Sequence, residues 1–287
     1  MLGKLIKHEF RATGRLMAPL FGALLLLAVF VRVSDLILSA ADAPVFFEAL
    51  NALLLVVYVL AILGVTVFAT ILMIKRFHQN FLTDEGYLMF TLPAGVHSLL
   101  WSKLITAALF FIFTFLAEAL SVAIVVWQGG MAADIYHGFA SFFQELNSYY
   151  MANGVAFALE ALALLFVSLL VTCLLFYAPM SIGYSFANHK GLLSVVFYFV
   201  IQAVQQIFGV CTLAGLADDS SLLNHLLQNV FSGGRMVIVN GVVSESPHAV
   251  AQFVHGTMLL SLLADLVLGA ILYFLTYFML RKRRNLQ

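Results

Sequence analysis

The sequence predicts an all-α polytopic membrane protein built on six transmembrane helices. Three observations predict it. Of 287 residues, 63% are hydrophobic and only 10% charged, against roughly 45–50% and about 25% in soluble domains. Six apolar stretches are each long enough to cross a hydrocarbon core of ~30 Å, which takes about 20 residues of helix. Twelve of the 14 Lys and Arg residues then fall on one side of the bilayer, as the positive-inside rule requires. A soluble enzyme is excluded because too little polar surface remains to wrap a water-soluble body. Disorder is excluded by the abundance of apolar residues. A nucleic-acid binder is disfavoured, since 14 basic residues balance 14 acidic ones and no basic domain stands apart.

The elements follow in chain order. Residues 1–15 read as an amphipathic interfacial helix. Leu2, Leu5, Ile6, Phe10 and Thr13 share one face, and Lys4, Lys7, Arg11 and Arg15 line the opposite one. The basic face suits the anionic inner leaflet of a bilayer. Glu9 interrupts the apolar face and calls for a protein partner. Residues 16–287 form the six-span domain, with spans near 16–38, 50–74, 99–127, 151–178, 192–213 and 256–280. The first run exceeds the ~7–15-residue apolar core of a signal peptide and five spans follow, so it reads as a retained helix.

With the N-terminus inside, Lys4, Lys7, Arg11, Arg15, Lys75, Arg76, Lys103, Lys190 and the run Arg281–Arg284 are cytoplasmic, and only Arg32 and Arg235 lie outside. Both termini are then expected in the cytoplasm. The outer loops collect Asp42, Glu48, Asp134, Glu145, Asp218, Asp219 and Glu245. These acids either attract cations to a vestibule or are what remains when basic residues are kept inside.

The loop 75–98, KRFHQNFLTDEGYLMFTLPAGVHS, is unusually aromatic. Thr83 with Asp84 and Glu85 is a helix start, and Pro93 a stop. Phe77, Phe81, Tyr87 and Phe90 either form a docking surface or pack against the protein's own spans. In the outer segment 214–255, Asn240-Gly241 between Val237-Ile238-Val239 and Val242-Val243 signals a β-hairpin, and 220–230 a short amphipathic helix. Cys173 and Cys211 sit towards opposite ends of their spans and read as small core residues, not a disulfide.

Three carboxylates fall inside spans: Glu118, Glu160 and Asp265, each nine residues from the outer end of its run. At 1.5 Å per residue they would share a depth of roughly 13 Å. Gln202, Gln205 and Gln206 reach a similar depth, as does the Thr257, Ser261, Asp265 stripe. Such groups face protein or water, not lipid. They form either a polar substrate chamber or interhelical hydrogen bonds. Enzyme signatures are missing: His8-Glu9 lacks the second zincin histidine, the eight histidines form no ligand cluster, and no metal site is expected. Without a G-x-x-x-x-G-K-[ST] loop, ATP would have to be used by another polypeptide.

On these residues the chain resembles the permease subunits of type-2 ABC exporters, of the small six-span Gram-positive bacterial kind. The matching features are LGKLIKHEFRATGRL at the N-terminus, DEGYLMFTLP followed by Lys103, and the extended segment before the last span. The resemblance implies that the 75–98 loop is a coupling segment docked on an ATPase through Phe77, Phe81, Asp84, Glu85, Tyr87 and Phe90. It also implies two permeases and two ATPases, with ATP and Mg held by the ATPases, in a bacterial cytoplasmic membrane. Outward movement of an amphipathic or hydrophobic peptide or drug-like substrate would follow. Two other readings compete: a proton-coupled transporter or channel using the intramembrane carboxylates, and a non-transporting sensor or assembly factor.

Overall fold

The computed structural model describes residues 2–40, 44–83, 86, 95–127, 131–148, 154–186, 188–217, 238–239, 242–243 and 247–284. Seven helices and one short strand pair are described: α1 Leu2–Ala40, α2 Val45–Leu82, α3 Val96–Val126, α4 Met131–Ser148, α5 Gly154–Gly183, α6 Lys190–Ala217, β1 Ile238–Val239, β2 Val242–Val243 and α7 Pro247–Arg284. All but α4 contain an apolar window long enough to cross a membrane, giving the six spans expected. The protein is an all-α polytopic membrane protein.

Helices α1 and α2 run well beyond their apolar stretches. α1 has 39 residues, or about 58 Å at 1.5 Å per residue, nearly twice the ~30 Å hydrocarbon thickness. No break separates residues 1–15 from the first span, because helix formers dominate that stretch and its two glycines, Gly3 and Gly14, are tolerated inside the helix. The amphipathic segment is thus an extension of the span. α2 likewise continues to Leu82, so the first eight residues of the expected loop are helical. Its C-cap Thr83 is extended, with φ −105° and ψ −174°. Of the rest of the expected coupling helix only Gly86 is described; Asp84, Glu85, Tyr87, Phe90 and Pro93 lie outside the described residues.

The chain divides into two compact units, Met1–Gly129 with Leu280–Gln287, and Gly130–Met279. In the first, α1 packs along α3 and α2, and α2 against α3. One cluster joins Leu24, Ala28 and Val31 of α1 to Tyr58 and Val65 of α2. A second joins Met17 of α1, Ala69 and Leu72 of α2, and Phe110 of α3. Ala28 and Ala108 are fully buried, since small side chains let membrane helices approach closely where lipid offers no hydrophobic drive.

In the second unit α5 and α6 form a helical hairpin. Its turn uses His189 at φ 53°, a left-handed conformation that histidine tolerates better than most residues. The His189 carbonyl accepts the Leu193 N–H at 2.9 Å and starts α6. Gly183 closes the hairpin: a Cβ there would lie 2.6 Å from the Ser194 Cα and closer still to its backbone nitrogen. Phe176 stacks on Tyr198 across the pair at 5.2 Å. β1 and β2 pair antiparallel, Ile238 with Val243 and Val239 with Val242, the register that a two-residue Asn-Gly connection sets. The expected helix over 220–230 lies outside the described residues.

Candidate functional site

Polar side chains that an apolar helix must partner are the natural candidates, and they fall into separate groups. The first joins the three helices of the first unit where the N-terminal extension of α1 meets the end of α2 and the start of α3. Lys103 on α3 forms an ion pair with Glu9 on α1, and its side chain is only 3% exposed. The Asn80 amide on α2 donates to the same Glu9 oxygen at 3.4 Å. The partner that Glu9 called for is therefore Lys103. Phe10, one residue on, packs its ring on Phe110 at 5.0 Å and on Phe113 at 5.9 Å. Thr13 and Met17 are buried, whereas Lys4, Lys7, Arg11 and Arg15 all face outward. The apolar face of this segment thus seats partly on protein, with Leu2 and Phe10 still exposed, and its basic face is exposed as expected.

Phe77 and Phe81 stand beside this junction in sequence but do not offer a surface. Both are fully buried, with ring centroids 5.2 Å apart. Their expected role as docking residues is corrected: they lie one helical turn apart on an α2 that runs on to Leu82, and this brings both rings into the interior. Gly86, the one residue of the following stretch that is described, is buried too. Its N–H donates to the Thr83 carbonyl at 2.9 Å, and a Cβ on it would meet the Phe81 backbone at 3.0 Å.

Deeper in the first unit, α2 and α3 are joined by side-chain hydrogen bonds. The Thr66 hydroxyl donates to Glu118 at 2.6 Å, and Tyr58 and Ser121 share a hydrogen bond of 2.9 Å. Glu118 is thus tied to a neighbouring helix, the arrangement of interhelical bonding. Ser121 also donates to the Glu118 carbonyl. At one end of α1 and α2 a shallow groove is lined by Asp35, Ser39, Glu48 and Asn51. Arg32 pairs with Asp35 at 3.3 Å on its rim.

In the second unit Glu160 on α5 meets His255 on α7 at 2.7 Å. The His255 ring also lies against Phe157, with centroids 5.9 Å apart. The sequence did not single out His255, because it sits just before the apolar run that marks the last span. α7 begins at Pro247, and the extra turns bring His255 onto the membrane helix. The pairing corrects the expectation of one polar layer. Asp265 lies ten residues beyond His255 on α7, about 15 Å along the axis, so Glu160 and Asp265 occupy different levels. Further down, a Cβ on Gly269 would touch Val171 at 3.1 Å, which agrees with α5 and α7 running parallel.

The remaining candidates are dispersed. Asp265 is partly exposed and has no polar partner among the described residues. Gln202 donates to the Tyr198 hydroxyl at 3.2 Å. Gln205 is partly buried and Gln206 exposed. Ser261 is exposed and returns its hydroxyl to the Thr257 carbonyl of its own helix. Cys173 is a buried free thiol, the core role expected. Among the described residues no group of three or more His, Cys, Asp or Glu is placed to hold a metal ion. Comparison with protein-family models, characterised proteins and solved structures finds no match to this chain.

Proposed function

We propose that the chain is the membrane-spanning permease subunit of an ATP-driven exporter, working as a pair of permeases with a separate ATPase subunit. The observation that supports this most is the buried Lys103–Glu9 ion pair with Asn80. It ties α1, α2 and α3 together at the base of the segment that resembles a coupling helix. A push on that segment is then delivered to three spans as one block, because breaking the junction would strand a charge away from water. ATP and Mg are held by the ATPases. Their closure drives the coupling segments, and alternating access moves an amphipathic or hydrophobic peptide or drug-like substrate outward across a bacterial cytoplasmic membrane. Both termini are cytoplasmic, and the exposed Lys4, Lys7, Arg11 and Arg15 face the anionic inner leaflet. The docking surface is assigned to Asp84, Glu85, Tyr87 and Phe90, with Phe77 and Phe81 supporting it from within.

The test is a mild-detergent pull-down of the tagged chain from its native membrane, with nucleotide hydrolysis assayed in the eluate. A stoichiometric ATPase is expected, lost when Tyr87 and Phe90 are both changed to alanine. A folded chain recovered alone, which moves solute in vesicles under a pH gradient without nucleotide, overturns the proposal. That outcome favours the proton-coupled reading, supported by the partly exposed Glu160–His255 pair.

A further inference from the structure

Helix α4, Met131–Ser148, is too polar overall to cross a membrane and is absent from the six candidate spans. Its residues nevertheless separate cleanly around the axis. At 100° per residue, Met131, Ile135, Tyr136, Phe139, Phe142 and Leu146 occupy an arc of about 140°, and Asp134, His137, Ser141, Gln144 and Glu145 fall on the other side. In most soluble proteins such an apolar arc would be covered by the core. Here its middle is open: Ile135 is 45% exposed, Tyr136 70%, Phe139 63% and Phe142 56%, with Met131 and Leu146 at its ends half-buried.

The place of α4 in the chain supplies the occupant. α3 ends at Val126, and α5 begins at Gly154. Both are spans, and no span lies between them, so α4 is tethered at one membrane–water boundary by a few residues at each end. Its C-terminal end is fixed to the mouth of α5, where the Asn147 side chain accepts the Gly154 N–H at 2.9 Å. The Phe143 ring lies where a Cβ on Gly154 would be. A helix of about 27 Å held there, apolar and aromatic on one side, matches the headgroup–acyl boundary in which aromatic side chains concentrate. The polar side selects the kind of surface. It carries two acids, and the helix has no Lys or Arg, which disfavours an anionic leaflet and suits a zwitterionic one.

We infer that α4 is an interfacial helix whose Ile135, Tyr136, Phe139 and Phe142 face inserts into a zwitterionic phospholipid surface at the start of α5. In the arrangement set by the basic residues this is the outer leaflet. The inference rests on the membrane architecture and not on the exporter reading.

The full chain is reconstituted in phosphatidylcholine vesicles with Trp101→Phe and Trp127→Phe, and a single tryptophan is introduced as Phe139→Trp or as Ser141→Trp. Phe139→Trp is expected to be quenched by lipids brominated along the acyl chain, at a depth of about 5–10 Å, and shielded from aqueous iodide. Ser141→Trp is expected to give the reverse. Iodide quenching of both positions overturns the inference, since the face is then in water. Shielding of Phe139→Trp from both quenchers also overturns it, since protein or a second copy then covers the face. Phe142→Trp, on the same arc, gives the same contrast if Phe139→Trp does not fold. If the background does not fold, both substitutions are read against the signal of the unaltered chain.

Discussion

Lys103 is a cation whose side chain is 97% shielded, and the carboxylate of Glu9 is what makes that position tolerable. Removing one partner of such a pair costs about 3–5 kcal/mol, whereas replacing both by apolar residues of similar volume is often neutral or better. Lys103→Met and Glu9→Leu are therefore each expected to lower the unfolding temperature in detergent sharply. The double variant is expected to recover most of the loss. Thermal unfolding of the four proteins checks this, and equal, additive losses would show that the pair is not what holds the junction. Half of this arrangement was legible in the sequence: an acid on the apolar face of an amphipathic helix needs a partner, whatever it is. The identity of the partner was not, because Lys103 is remote in the chain and reads as an ordinary inside-positive charge. Phe77 and Phe81 illustrate the opposite failure. Placed among Lys75, Arg76 and His78 they read as loop aromatics, and only the continuation of α2 to Leu82 turns their spacing of four into one buried stripe.

At the scale of elements, close approach decides which helices can pair. α5 and α6 meet where Gly183 faces the backbone of Ser194. A methyl group there collides with backbone atoms that no side-chain rotation can move. Gly183→Ala should therefore destabilise the protein by about 1–3 kcal/mol or more, and adding Ser194→Ala should not restore it. Urea or thermal unfolding of the two variants measures both effects; rescue by Ser194→Ala would mean that only the hydroxyl is in the way. The spans themselves were legible because an apolar run of ~20 residues has few other uses. Their ends were not. Helical hydrogen bonding continues through the sequence flanking the apolar runs, as in residues 2–15, 75–82 and 247–255. The depth counted from the apolar edge for Asp265 failed for this reason, since α7 begins at Pro247. α4 went unread because its apolar residues alternate with polar ones and no hydropathy window rises over them. Its signal is the 3.6-residue period, which separates Phe139 and Phe142 from Ser141 and Gln144. The Asn240-Gly241 hairpin, by contrast, was readable from one dipeptide, since few turns accept that pair as readily.

For the whole molecule, the number of crossings and the charge distribution make one joint demand. Six spans are an even number, so both ends of the chain must emerge on the same side of the bilayer. The basic residues predict which side: Lys4, Lys7, Arg11 and Arg15 at the start and Arg281, Lys282, Arg283 and Arg284 at the end belong to flanks close enough to the spans to govern orientation. The long helices strengthen the demand, because α1 carries its charged turns and α7 its terminal arginines as rigid continuations of spans. Short epitope tags at Met1 and Gln287 should both resist protease in intact cells and both become sensitive when the membrane is opened. One tag sensitive and one protected would require an odd number of crossings, and one of the six apolar helices would have to lie outside the membrane. Both tags sensitive in intact cells would keep six crossings but invert the chain. α4 would then face the anionic leaflet that its acids oppose, and the coupling segment would be out of reach of any cytoplasmic ATPase. Tag protection at the two ends therefore bears on the exporter reading and on the placement of α4 before any substrate is known.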